Sequence, residues 1–147
     1  MSEEIQLRCP ETAEEWRQYY HLRWSVLRKP WGEPEGSERD ERDDETEHCA
    51  VIAGDRVLGV GRLQMNDHEE AQIRYMAVDP DCHKRGLGRR IVEFLEEKAR
   101  ELGAARVILD ARQNAVGFYL VLGYNVTADS YLLFGEIQHY RMQKDLY

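Results

Sequence analysis

The chain has 147 residues, with 28 acidic and 20 basic side chains and a formal net charge of −8. That length suits one domain with its own core, and a hydrophobic fraction of 42% excludes wholesale disorder. The acidic balance lacks the basic footprint that non-specific nucleic-acid or anionic-membrane binding requires, so neither is expected as a partner.

Ile5–Cys9 alternates weakly and predicts a short first strand. Thr12 and Glu15 then form a T-x-x-E capping box. Trp16, Tyr20, Trp24 and Leu27 follow at helical spacing, predicting a helix over Ala13–Val26. Pro30, Trp31, Gly32 and Pro34 end it. The next segment, Glu33–Glu47, holds nine acidic residues and two arginines, a local charge of −7 that leaves −1 for the rest. It reads as an exposed loop or loosely helical lid. Cys49–Ala53, the turn Gly54-Asp55 and Val57–Gln64 predict a hairpin. After a polar turn at Asn66–Glu70, Gln72–Val78 is the next strand. Gly86–Leu102 is the clearest helix, with Leu87, Ile91, Phe94, Leu95, Ala99 and Leu102 on one face and Gly103 as its stop. Val107–Asp110 predicts a central strand, Ala115–Leu122 a short helix, and Tyr124–Ala128 and Ile137–Lys144 the closing strands. The order predicts a single α/β domain over residues 1–147, a mixed sheet with helices on its faces.

Cys9, Cys49 and Cys82 are odd in number and form no C-x-x-C pair, which argues against a disulfide framework or a metal site. The N-terminus has no basic region followed by an apolar run, and no stretch approaches the roughly 20 apolar residues that span a bilayer. A cytoplasmic location is the expectation.

The sharpest motif is Val78-Asp79-Pro80-Asp81-Cys82-His83-Lys84-Arg85-Gly86-Leu87-Gly88-Arg89-Arg90, a strand end and a glycine-rich bend that opens the best helix. Amides at a helix start lack intrahelical acceptors, and the helix dipole favours an anion there. Two glycines permit close backbone approach, and Lys84, Arg85, Arg89 and Arg90 add positive charge. No G-x-x-x-x-G-K-[ST] is present, and the third glycine of a dinucleotide fingerprint is missing. A pyrophosphate held mainly by backbone remains.

These residues resemble the GNAT superfamily of acetyl-CoA-dependent N-acetyltransferases, whose signature is Q/R-x-x-G-x-G/A. Here it reads His83-Lys84-Arg85-Gly86-Leu87-Gly88, departing at His83. A second element, Asn114-Ala115-Val116-Gly117-Phe118-Tyr119-Leu120-Val121-Leu122-Gly123-Tyr124, is similar to N-x-x-[AG]-x-x-F-Y-x-x-x-G-[FY]. The resemblance implies a mixed, mostly antiparallel GNAT-like sheet and acetyl-CoA as co-substrate, without a metal. It places His83, Lys84, Arg85, Gly86, Leu87, Gly88 and Arg89 at the cofactor phosphates. Backbone groups of Met76, Ala77 and Val78 would meet the pantetheine arm. Asn114, expected to cap its helix, and Tyr119 would also touch the cofactor, with Tyr119 as general acid.

Acetyl transfer must first expose an amine lone pair. An amine of pKa about 10.4 is neutral in about one molecule in 10³ at pH 7, a deficit of roughly 4.6 kcal/mol, so a base is useful. Ala71-Gln72-Ile73-Arg74 offers no carboxylate for that work. Gly135-Glu136-Ile137-Gln138-His139-Tyr140-Arg141-Met142 resembles the G-x-x-x-H-x-x-M ending of a GNAT subgroup that includes the glyphosate N-acetyltransferases. That resemblance implies His139 as base. It extends to Tyr20–Arg28 and to Ala111-Arg112, and it implies that Arg23, Arg74 and Arg112 hold an anionic acceptor. Arg74 interrupts an apolar strand, so its guanidinium needs an anion or water. Strict alternation puts it on the same face as Met76 and Val78. Arg23 also fits a solvated helix face, and Arg112 a pair with Asp110. The family's region after the first helix commonly borders the acceptor cleft, which would put the acidic segment there.

His21, His48 and His68 read as surface residues, and Cys82 lacks a partnered base for covalent catalysis. The expected function is direct acetyl transfer to a small, anionic amine, with a homodimer left open. The alternatives are a cationic amine drawn by the acidic segment, a protein N-terminus or lysine, and a non-catalytic acyl-CoA-binding module.

Overall fold

The computed structural model describes residues 4–82 and 85–147. Its elements in chain order are β1 (Ile5–Arg8), α1 (Ala13–Leu27), β2 (Glu47–Ala53), β3 (Arg56–Met65), β4 (Glu70–Val78), α2 (Leu87–Glu101), β5 (Arg106–Arg112), α3 (Val116–Val121), β6 (Asn125–Leu133) and β7 (Ile137–Asp145). The predicted order holds throughout, giving a single-domain α/β fold. The strands form one sheet in the order β1-β2-β3-β4-β5-β7-β6, antiparallel except where β4 meets β5. The capping box forms as expected: the Glu15 N–H donates to Thr12 Oγ1 at 3.0 Å, and the Thr12 N–H donates to the Glu15 carboxylate at 3.4 Å. β6 runs five residues beyond its predicted end at Ala128, to Leu133, and the turn that stops it contains Gly135 at φ +71.

The two helices cover opposite faces. Ile91, Leu95 and Ala99 of α2 pack on Val51, Leu63, Ile73 and Leu109. Tyr19 and Leu22 of α1 pack on Ala50, Ile52, Val60 and Ala77. Gly61 of β3 allows α2 to sit close: a Cβ there would lie 2.7 Å from Ile91 Cγ2 and 2.8 Å from Met76 Sδ.

Two departures from regular pairing shape the centre of the sheet. β4 pairs with β5 only at Glu70–Arg106, Ala71–Val107 and Gln72–Ile108, after which the strands part. On its other edge β4 bulges against β3, since Val60 pairs with Ala77 and Arg62 with Arg74. Tyr75 absorbs the extra residue at φ +57. The bulge overturns the expected alternation. Met76 and Val78 pack against the α2-side core, whereas Arg74 and Tyr75 reach Asp40 on the α1 side.

The acidic segment is not a free loop. Among its residues Glu38 is 3% exposed and Asp43 7% exposed, and Asp43–Glu45 forms a 3₁₀ turn. Asp43 accepts from the buried guanidinium of Arg23 at 2.8 Å and from that of Arg62 at 3.1 Å. Asp40 takes two bonds from Arg62 at 2.6 and 3.0 Å and lies 3.4 Å from Arg74. His48, expected at the surface, is buried here instead, its ring bonded to Tyr19 Oη at 2.8 Å and the Asp43 carbonyl at 2.7 Å. His21 and His68 are exposed as expected.

Removing one partner of a buried ion pair strands the other charge at about 3–5 kcal/mol. Asp43→Ala should therefore lose roughly that much stability in urea unfolding; a loss below about 1 kcal/mol would refute the pairing as a fold determinant. The Arg62 guanidinium also holds the Asp40 carboxyl down at about 2. A depressed carboxylate stabilises the fold above its unfolded pKa, about 3.9. Asp40's contribution should be complete above about pH 4 and lost as pH falls through about 2, a dependence that Asp40→Asn removes.

Candidate active site

Where β4 and β5 part, the sheet opens into a cavity of about 740 Å³ that passes from one face to the other. Its α2-side wall includes Cys82, Leu87, Gly88, Phe118 and Tyr119, and its α1-side wall includes Leu27, Arg28, Arg74, Tyr75, Arg112, Tyr131 and His139. No residue of 33–47 is among the described lining residues. The acidic segment therefore stands behind the wall, through Asp40, rather than at the cleft.

Gly86 opens α2 at φ +73, and no side chain caps the helix. The first described intrahelical bond runs from the Arg90 N–H to the Gly86 carbonyl at 3.3 Å, so the amides of Leu87, Gly88 and Arg89 lack helical acceptors. A Cβ on Gly88 would lie 3.2 Å from Phe118 Cζ, which is how closely the start of α2 approaches α3. The Arg85 guanidinium lies 3.8 Å from Cys82 Sγ, and the exposed Arg89 pairs with Glu93 at 2.8 Å. His83 and Lys84, expected at the phosphates, lie outside the described residues.

The β4 backbone from Ile73 to Val78 faces the gap with no β5 partner in the ladder. It thus offers N–H and C=O groups to anything extended along it. Met76, Ala77 and Val78 all border the cavity.

Tyr119 is 7% exposed, held edge-on by Phe118 at 4.9 Å and Tyr124 at 5.8 Å between ring centroids. Its hydroxyl makes no hydrogen bond to a described residue, and burial raises its pKa above the ordinary tyrosine value. The O–H therefore stays protonated at neutral pH. Asn114 lines the cavity but caps nothing. It lies in the 3₁₀ turn Gln113–Ala115, and Ala115 takes the cap position without a side-chain bond.

On the opposite face His139 stands directly across the ladder from Arg112. It is 4% exposed and stacks on Tyr131, with ring centroids 4.3 Å apart. Its Nδ1 lies 2.9 Å from the Ile137 carbonyl. In neutral imidazole that contact requires the proton on Nδ1 and leaves the Nε2 lone pair free. Burial lowers the pKa of His139 from its ordinary value, and the positive charges of Arg112 and Arg28 act in the same direction.

The arginines separate into two roles. Arg23 is not on the cavity wall: its guanidinium is fully buried, bonded to Asp43, the Glu38 carbonyl and Tyr19 Oη, and stacked 4.4 Å from the Tyr75 ring centroid. The expected contact with an acceptor gives way to support of Tyr75 from behind. Arg74 and Arg112 do line the cavity. The pair between Arg112 and Asp110 does not form, because Asp110 accepts from Arg141 at 2.7 and 3.2 Å and from Ser130 at 2.8 Å. Arg112 instead reaches the Leu27 carbonyl at 3.4 Å, an oxygen that also takes Arg28 Nη1 at 3.2 Å. Arg28 escaped the sequence reading, although a basic residue closing a helix just before Lys29-Pro30 was the available signal. Tyr131 carried none, because its strand was expected to end earlier. No group of three or more His, Cys, Asp or Glu side chains among the described residues could hold a metal ion. No helix among them is long and apolar enough to cross a membrane.

A family model described as the acetyltransferase (GNAT) family matches residues 16–124. The uncharacterized N-acetyltransferase YjcF of Bacillus subtilis (strain 168) is 33% identical over 135 residues, covering 92% of this chain and 96% of that protein. A crystal structure of a putative N-acetyltransferase from Lactobacillus plantarum superposes with a TM-score of 0.82 at 23% identity, covering all of both chains. An aminoglycoside 6'-N-acetyltransferase complexed with coenzyme A does so with a TM-score of 0.80 at 16% identity, covering 97% of each chain. With the family model spanning most of the chain, and a relative 33% identical over nearly its whole length, the chain belongs to the GNAT family and is an N-acetyltransferase.

Proposed function

We propose that the chain transfers the acetyl group of acetyl-CoA directly to the amine of a small anionic acceptor, in the manner of the subgroup that includes the glyphosate N-acetyltransferases. One observation carries this reading. Arg28 and Arg112 converge on a single carbonyl oxygen beside His139, and neither forms an ion pair with a described residue. Two like charges held together without a counter-ion favour an anion between them. Asp110, the acid on that wall, is already saturated. A cationic amine would meet these arginines, while the carboxylates of Asp40 and Asp43 are occupied by Arg62 and Arg23.

The residues present fit acetyl-CoA. The uncapped amides of α2 suit a pyrophosphate, glycine at 86 and 88 keeps Cβ atoms out of its way, and the free β4 edge suits an amide-bearing arm. When bound, acetyl-CoA supplies an acyl carbon with a thiolate leaving group. The chain then has three tasks. A β4 N–H at the gap polarises the carbonyl oxygen. His139 Nε2 takes the proton from the acceptor ammonium, directly or through water, and Tyr119 Oη gives one to the departing sulfur. Arg28, Arg74 and Arg112 hold the acceptor's anionic group, with Arg23 stiffening Tyr75 behind them.

His139→Ala should lower kcat by roughly 10²–10⁴ while leaving the KM for acetyl-CoA near its original value. Near-normal turnover of that variant from about pH 6 to about pH 9 would sink the base assignment. Because the imidazole pKa is lowered, His139 stays neutral to below pH 6.5, and the acid limb of kcat/KM should lie there too. Arg112→Gln removes one of the charges that lowers it. In NMR titration the His139 pKa should therefore rise, and the KM for acidic amines should increase; a fall in either would contradict the proposed anion site.

A further inference from the structure

We infer that Trp31 and Phe134 form an aromatic clasp across the acceptor half of the cleft and restrict the enzyme to compact amines. The inference rests on the placement of the acceptor on the α1 face proposed above. It starts from a residue in the wrong place. The turn joining β6 to β7 is Leu133-Phe134-Gly135-Glu136, with the Glu136 N–H donating to the Leu133 carbonyl at 3.1 Å. Both central residues have positive φ, +54 at Phe134 and +71 at Gly135. This two-residue pattern favours Asn-Gly, and a bulky side chain at its first position is a steric outlier. Burial does not account for the ring, which is 38% exposed.

Its contacts do. The Phe134 ring lies 6.2 Å from that of Trp31, tilted by 33°. The Arg28 guanidinium sits 5.9 Å from the Phe134 centroid and 5.8 Å from that of Tyr75. Both distances are within cation–π range. Tyr75, Arg28, Phe134 and Trp31 thus form a continuous line from β4 past the β6–β7 turn to the turn after α1, with Tyr75 and Arg28 on the cavity wall and the two clasp rings beside it. Arg28 and Leu133, next to the clasp residues in space or sequence, line the cavity. One half of the clasp is stiff. Trp31 closes the 3₁₀ turn Lys29–Trp31, which contains Pro30 and ends at Gly32 with φ +74. The other half is a hairpin tip. A single amine with its anionic group fits beneath such a bridge, whereas a polypeptide laid through the cleft has to break it.

The test compares wild type, Phe134→Asn and Trp31→Ala by thiol release from acetyl-CoA. The acceptors are the acidic amino acids and pentapeptides that begin with them. Wild type should favour the free amino acids by about 10²-fold in kcat/KM, and each variant should narrow that ratio about tenfold by gaining peptide turnover. Phe134→Asn should also raise Tm by about 3–6 °C, because Asn accepts the left-handed conformation. An unchanged ratio with turnover intact overturns the clasp alone. Absence of thiol release with every amine overturns the acceptor reading and the clasp with it. A lower Tm for Phe134→Asn overturns the reading of Phe134 as a strained residue kept for its contacts, and with it the clasp.

Discussion

Parallel pairing between β4 and β5 ends at Gln72–Ile108, and the remaining backbone of β4 is left with donors and acceptors facing a gap. An unpaired backbone edge is costly when buried and useful when a ligand can run along it. The same gap joins the two faces of the sheet. Tyr119 belongs to the core beneath α2, and His139 stands on the face beneath α1. In a continuous sheet two side chains so placed would be separated by a layer of backbone. The opening puts both on the wall of one cavity.

The second constraint is electrostatic. Three arginines, Arg23, Arg62 and Arg74, crowd the α1-side face of the sheet and surround the Tyr75 ring, with guanidinium carbons 4.4–4.8 Å from its centroid. Asp40 and Asp43 supply the compensating charge from the acidic segment. The segment that looked like a solvated lid therefore supplies two internal counter-ions, while Glu35, Glu41, Asp44, Glu45 and Glu47 keep their side chains exposed. Balancing three cations with two anions leaves the cluster positive on its cleft side. Arg28 and Arg112 add to that sign.

Much of this was legible before any coordinates. The Thr12 cap, the apolar stripe of α2 and the glycine turn are local signals, in which each residue acts on neighbours within one or two turns; all three hold, except that the stripe ends at Ala99 and Leu102 is exposed just past the helix. What could not be read depends on distance along the chain. Arg23 and Asp43 are 20 residues apart, so a buried pair looked like a helix surface followed by a charged loop. The left-handed Tyr75 shifts the parity of a strand whose composition still reads as regular alternation, which placed Arg74 on the wrong face. Asn114 carries the right type for a cap, yet the 3₁₀ turn moves the cap to Ala115. His48 resembled the end of a solvated run because its partners, Tyr19 and the Asp43 carbonyl, come from separate elements.

The short β4–β5 ladder also divides the sheet into two sectors. β1 to β4 follow one another across the sheet, and α1 and α2 cover their two faces. The last third, β5 to β7 with α3, joins them along three ladder positions, through the core that Leu109 and Met142 share with Ile91 and Leu95, and around the buried carboxylate of Glu96, which takes Tyr124 Oη at 2.8 Å and Lys144 Nζ at 3.1 Å. The cavity lies at the seam where these two sectors of the sheet meet, so any shift of one sector against the other also changes the width of the cleft.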